Sequence, residues 1–544
     1  MASLNQYSGT LDRRLAGHLL RRTTFNISPT RIDAFTGMSV SQAVDALFNA
    51  PALQVPQGPI SYQNNQPWLT LNVASGFGSE FDNNARYTVW GWMLHEMLHD
   101  TSIRHKMVLF LHSCFTLQLG FTDRDYVHFA YLQLLQHYAL GNLKTLAKKV
   151  TVDNRMLTFL DNRYNTKYSP NENYAREFLE LFTVQKGPLI GPGDYTTYTE
   201  SDIGQAARVF TGFTTSTTET DPETGFRRGR ARFSEHDLGD KTFSAAMGGV
   251  TITAATSEQD MFRELSDFVD MIFSQLATAE SFVRRMYRFF VRESITTEIE
   301  TDIITPLAQD LLNDNFDVVN ALKRLLKSEH FYDADDADAT DEIIGAKVKS
   351  PMELLLQGVS FFGLETFIPD PVNFTEEHYM DFYKDFVMQD ILDRSKMPFF
   401  EPPSVLGYDA YAQAPGYSNF WFDGSTLITR YSVPETLFEG KRTRGGNIRI
   451  SDFIADLPAF VAANFANPSS ANDVVTQLLE YLLPEFPSPE RFDYFMGVFL
   501  ADLSPINWYF EWLNYANTND GSAVAIPLRD LLTRVVASPE YQLF

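Results

Sequence analysis

The chain has 544 residues and is 44% apolar, enough to bury large cores and, on length alone, to build two or three domains. A formal charge of −25 lacks the basic footprint of a general nucleic-acid binder and disfavours an anionic membrane surface. No run of 18 apolar residues predicts a membrane span, and the single cysteine, Cys114, leaves no intrachain disulfide and no Cys-based zinc site.

Met1 to Arg22 alternates polar and basic residues without the apolar core of a signal peptide, which predicts a cytoplasmic protein. With 45 Phe and 24 Tyr, many rings must be core, because aromatic surface on that scale would aggregate. Cys114 follows the apolar run Val108-Leu109-Phe110-Leu111 and reads as a buried, inert thiol.

In chain order, Leu11 to Arg22, a start at Ser28-Pro29 and Ser39 to Phe48 read as helices. Residues 51–85 read as a loop. Arg86 to Thr116 reads as two helices broken near Asp100-Thr101-Ser102, followed by helices at Asp125 to His137 and Asn142 to Thr151. A capping box is expected at Ser169, with Pro170 at N1 and Glu172 at N3, and a second at Thr199 with Asp202. Beyond the first cap, Tyr174, Phe178, Leu181 and Phe182 form a buried stripe, opposite Asn173, Arg176, Glu177 and Glu180.

Residues 214–256, rich in Thr, Gly and Arg, read as a short β or irregular excursion. Helices resume at Glu258 to Leu276, Ala279 to Arg292, Thr305 to Asn313 and Phe316 to Ser328, before an acidic linker from Asp333 to Glu342. Ser350-Pro351-Met352-Glu353 opens another capped helix. Residues 395–450 read as irregular, and helices close the chain at 452–466, 472–483, 488–499 and 527–537. The expected fold is therefore mainly α: an N-terminal helical half (1–213), the excursion (214–256) and a C-terminal helical half (257–544). One echo joins Ala321–Phe331 to Leu531–Tyr541, each a helix ending in Ser with an aromatic shortly after. A duplicated module and chance similarity both remain open.

Two constellations bear on chemistry. His95-Glu96-Met97-Leu98-His99 has the H-E-x-x-H spacing in which two His bind zinc and the Glu activates water. Asn171, Glu172 or Glu177 would have to supply a further ligand. Helical phasing places both His opposite the apolar face of Val89, Trp90, Met93, Met97 and Leu98, which also describes an exposed polar stripe. Only Glu96 to His99 matches the Glu-x-x-His of a di-iron bundle, which needs two such pairs.

The second constellation is the polar face of Arg176, Glu177 and Glu180, with His236 and Asp237 of the excursion closing over it and His112 as a further candidate. His with carboxylates suits a divalent metal or general acid/base work, whereas a solvated salt-bridged face is the simpler account. His18 and His112, on apolar helices, read as core histidines. Asp333, Asp335 and Asp338 lack the Gly and Glu of an EF-hand, and the nucleotide-binding and nucleophile-elbow motifs are absent.

Five segments together resemble one bacterial family. They are His18–Phe25, Arg104–Ser113, Asn171–Leu181 with Arg208–Phe213, His236-Asp237 with Lys241, and Pro398–Tyr408 with Leu427 and Arg430. The family is known as domain of unknown function 1800. It continues its Glu-Leu with His-Thr-Leu-Gly where this chain has Phe182-Thr183-Val184, and commonly has Trp where Tyr408 stands. The resemblance implies no established activity. Members are often exported and often encoded beside a second family similar to alkaline phosphatases and sulfatases, which implies an accessory protein acting with a sulfatase- or phosphatase-like partner. The alternatives are an enzyme with a His/carboxylate site and a zinc hydrolase at His95, Glu96 and His99.

Overall fold

The computed structural model describes residues 2–53, 85–118, 125–337, 342–367, 380–439 and 454–544. Most of the predicted loop at 51–85 and Asp338 of the acidic run lie outside them. The fold is mainly α, with three two-stranded antiparallel sheets among the described residues. Among the described residues no helix is long and apolar enough to cross a membrane.

The N-terminal region holds α1 (Arg13–Thr23), α2 (Pro29–Phe35), α3 (Val40–Phe48), α4 (Ala85–His99), α5 (Arg104–Cys114), α6 (Asp125–Tyr138), α7 (Leu143–Thr151) and α8 (Asn154–Phe159). Local chemistry sets their limits. The Ser39 hydroxyl and the Gln42 side chain form a reciprocal cap on α3. The break between α4 and α5 is held by Asp100, whose Oδ1 accepts from the Ser102 amide at 2.8 Å and hydroxyl at 2.7 Å.

Helix α9 (Glu172–Glu177) departs from expectation at both ends. Its cap is Asn171, whose Oδ1 accepts from the Asn173 amide at 3.0 Å, not Ser169. Ser169 sits in a tight turn, its amide donating to the Thr166 carbonyl at 3.0 Å, and the helix starts later than the Ser-Pro signal suggests. Past Glu177 the helix widens into a π-helical turn, Phe178–Phe182. The Thr183 hydroxyl closes that turn on the Phe178 carbonyl at 2.6 Å.

The hairpin β1 (Leu189–Gly191) with β2 (Asp194–Tyr195) leads to α10 (Glu200–Val209), capped by Thr199 and Asp202 as expected. The excursion contributes β3 (Phe213–Thr214) with β4 (Arg230–Ala231), and β5 (Lys241–Thr242) with β6 (Thr251–Ile252). Gly212 enters it at φ +80°, where an added Cβ would stand 2.7 Å from the Arg232 carbonyl oxygen. Asp202 also anchors the excursion, accepting from the Ser244 amide at 2.7 Å and hydroxyl at 2.6 Å.

Next come α11 (Glu258–Phe273), α12 (Leu276–Phe290), α13 (Thr297–Ile299), α14 (Thr305–Asn313), α15 (Val318–Lys327) and α16 (Pro351–Phe361). Tyr174, Phe178, Phe210 and Phe268 meet edge to face or tilted, with centroids 5.0–6.0 Å apart, fastening α9 to α10 and α11. Each such ring contributes roughly 1.5–3 kcal/mol by burial. Leu181, expected in the same stripe, is only partly buried. The acidic linker is structural at its start. Asp333 accepts from the amides of Ile343 and Ile344 at 2.6 and 2.9 Å, and Asp335 pairs with His330 at 2.7 Å.

The last region holds α17 (Met380–Asp393, a π-helix), α18 (Asp409–Ala412), α19 (Leu427–Glu439), α20 (Leu457–Asn464), α21 (Ala471–Leu482), α22 (Pro489–Leu500), α23 (Pro505–Thr518) and α24 (Ser522–Val536). Four of these correct the sequence reading: α18 and α19 lie in the segment expected to be irregular, and α17 and α23 were not expected. The sequence echo has a structural counterpart. Ser328 and Ser538 follow α15 and α24, and their hydroxyls accept from the Phe331 and Tyr541 amides at 3.2 and 3.3 Å.

Distant parts of the chain are joined through buried cations. Arg22 donates to the carbonyls of Val291 and Ile343, each at 2.7 Å, and to Phe544 O at 2.6 Å. Lys106 pairs with Glu353, and neither side chain is exposed.

Candidate functional site

The residues singled out in the sequence fall into separate groups. On α9, Arg176 forms a two-pronged pair with Glu200 at 2.9 and 2.8 Å and approaches Glu172 and Glu180, each at 3.5 Å. Glu180 is also held by Lys186 at 2.8 Å. Glu177 is half-buried, and burial and the neighbouring Glu180 raise its carboxyl above the usual range. This is a solvent-facing ion network, and such pairs contribute little each.

His236 does not close over that face. It lies beneath the excursion against α11, with Nδ1 2.8 Å from the Thr211 carbonyl oxygen and Nε2 3.1 Å from Glu264 Oε2. Lys241 Nζ stands 2.7 Å from Glu264 Oε1, close as an ion pair though not aligned as a hydrogen bond. All three side chains are fully buried, at 0% exposure. Asp237 points elsewhere, receiving the Arg208 guanidinium at 2.8 and 3.1 Å, which holds its carboxyl below the usual range despite partial burial.

Glu264 is the member the sequence reading missed. It interrupts the buried stripe Met261, Leu265, Phe268 of α11, and a lone carboxylate on an apolar face was the available signal.

His112 is a core histidine. Its Nε2 donates to the Leu117 carbonyl at 3.0 Å, the Phe400 ring stands edge-on, and burial lowers its pKa to about 3. On α4, the His95 and His99 rings stack with centroids 4.1 Å apart, and His99 Nδ1 bonds the His95 carbonyl at 2.8 Å. Burial raises the Glu96 carboxyl. A divalent metal is one group these residue types would suit. Among the described residues no group of three or more His, Cys, Asp or Glu is disposed to hold a metal ion.

A different place gathers the segments that carried the resemblance. Where α5 ends, where α9 widens into its π turn, and where the Val405–Gly407 loop passes α12, the walls enclose a cavity of ≈ 100 Å³. Ser113, Phe182 and Leu406 line it, together with Arg285, Arg288 and Glu293. Phe182 occupies the position where the resembling family has His.

Arg285 explains part of the wall. Its guanidinium donates to the carbonyls of Cys114, Leu181 and Phe182 at 3.4, 3.1 and 3.2 Å. It thereby satisfies the Leu181 and Phe182 oxygens of the widened turn and the terminal oxygen of α5 at Cys114. Arg288 is different: its guanidinium lies over the Tyr417 ring at 5.3 Å, and its buried Nε has no acceptor. Glu293 Oε1 is likewise buried without a donor. Sequence reasoning overlooked both, because a helical Arg and a loop Glu carry no motif.

No curated protein and no solved structure matches the chain. The family model described as "Protein of unknown function (DUF1800)" matches residues 18–543, nearly the whole length, and the chain belongs to that family.

Proposed function

We propose that this protein is an accessory partner of another protein and that α23 carries the contact. The observation behind this is the two-sidedness of that helix. Trp508 and Trp512 are buried, with Trp508 packed on Phe499 of α22 at 4.5 Å between centroids. On the opposite face Ile506, Tyr509, Phe510 and Leu513 follow at i, i+3, i+4 and i+7, and Phe510 is 61% and Ile506 52% exposed. A helix apolar all round belongs in an interior, and a contiguous exposed stripe of this kind fits a helix-and-groove contact.

Charge indicates the partner's chemistry. Between residues 485 and 530 the chain carries seven carboxylates and two arginines, and one of these, Arg491, is engaged by Glu540 at 3.1 Å. An apolar stripe with an acidic rim suits a partner surface that is apolar with a basic rim, and it opposes self-association of a chain carrying −25. The sulfatase- or phosphatase-like protein implied by the family resemblance is the partner class to test.

Light scattering on the protein mixed with such a partner, encoded beside it, should detect a complex that weakens as salt rises. The double substitution Ile506→Glu and Phe510→Glu should abolish it while leaving the melting temperature unchanged. A complex that survives the double substitution would overturn the assignment to α23; the absence of any complex with the wild-type chain would overturn the partner class.

A further inference from the structure

We propose that the cavity between α5, the π turn, α12 and the Val405–Gly407 loop is a binding site for a small zwitterion, its anionic end on Arg288 and its ammonium end on Glu293. This site is distinct from the α23 surface and does not depend on it. Two observations carry the proposal. Arg288 and Glu293 line the same cavity, yet no ion pair joins them. Each also keeps a buried polar atom without a hydrogen-bond partner, Nε and Oε1 respectively.

Buried polar atoms are nearly always satisfied, and leaving one without a partner is costly, more so when the group is charged. Two opposite charges on one small cavity would ordinarily close on each other. Here Arg288 is held back over Tyr417, and the carbonyls of Arg288 and Phe289 are occupied by the Lys347 ammonium. Glu293 lies in the field of the buried Arg22 guanidinium and Lys347 ammonium, yet its Oε1 receives no hydrogen bond.

The space selects the ligand's size. An apolar cavity of ~150 Å³ accepts benzene, so ≈ 100 Å³ holds about four or five heavy atoms. A carboxylate suits a guanidinium, and an ammonium suits a carboxylate oxygen that lacks a donor. Arg285 adds positive potential at the anionic end, although its own donors are engaged by the wall carbonyls. Phe289 and Leu406 supply apolar wall. A short amino acid matches this pattern in size and charge.

Saturation-transfer NMR on the full chain, with glycine, acetate and methylammonium as separate probes at constant ionic strength, tests the site. Glycine should bind saturably and at least about tenfold more tightly than either one-ended probe, since each charged hydrogen bond contributes roughly 1.5–3 kcal/mol. Arg288→Met and Glu293→Gln should each weaken glycine by about tenfold. Absence of saturable glycine binding to the wild-type chain would overturn the proposal. So would acetate binding equal to glycine and unaffected by Glu293→Gln, which would leave an anion site only. The ranking of the three probes on the wild-type chain decides the matter even where a variant fails to fold.

Discussion

Two charged clusters of this protein invite comparison, the one beneath the excursion and the one around the cavity at the end of α5. In the first, Glu264 receives His236, Lys241 and the Ala255 amide at 2.7–3.1 Å, and its members are shut from water. In the second, Arg288 and Glu293 share a space without meeting, and each keeps an unmade bond. The first cluster contains the residues that look most chemical in the sequence, yet it closes on itself through ion pairs, with Lys241 2.7 Å from a Glu264 Oε1 that lacks an aligned hydrogen bond, and it holds β5 and the excursion to α11. The second has no sequence signature and retains its bonding capacity. A cluster that satisfies itself is architecture, whereas one left open is where a ligand can add something.

Removing a member from each cluster tests that contrast. Glu264→Ala leaves Lys241 and His236 buried without their carboxylate and should cost about 3–5 kcal/mol in urea unfolding. A loss below about 1 kcal/mol would show that the cluster is not the tie described here.

A pH series provides a second test. Asp153 caps α8 by accepting from the Arg155 and Met156 amides at 2.8 and 3.0 Å, and burial pushes its carboxyl up to about 7. The unfolded chain releases that proton near 3.9, so the folded state binds more protons between the two values. Its stabilising contribution is complete below pH ~4 and is lost as pH rises through ~7. Asp153→Asn keeps an oxygen for the cap and removes the ionisation. The variant should therefore gain on the wild type from pH 5 to pH 8, by on the order of 1 kcal/mol per unit at most. Parallel stability profiles for the two proteins would refute this.

Smaller effects separate the clusters further. Thr199→Ala removes the α10 cap and should cost about 1 kcal/mol in thermal unfolding, without affecting glycine binding. Arg288→Met, by contrast, should change stability by less than about 0.5 kcal/mol, because the guanidinium gives up no hydrogen bond. A large loss there would place Arg288 with the self-satisfied groups and close the comparison.

Much of the helical framework was legible in the sequence. The caps at Thr199 and Ser350 act within four residues, and local chemistry of that kind is readable from composition and spacing. The Ser-Pro signal at Ser169 misplaced the start because Asn171, two residues on, caps the helix through its own side chain. Helix α23 escaped notice because apolar residues on both faces erase the periodicity by which amphipathic helices are found. The partnership of His236 with Glu264 was equally hidden, since 28 residues separate them and only the packing of the excursion on α11 brings them together.

The sequence by itself determined the class of fold, the start and direction of most helices, and the family, because these depend on local pattern and on residues matched in order. Only the tertiary structure decided which charged groups are spent on one another and which are left open. Pairing at that level depends on distances between elements remote in the chain, and a shift of about an ångström separates a made hydrogen bond from a polar atom left without one beside a cavity.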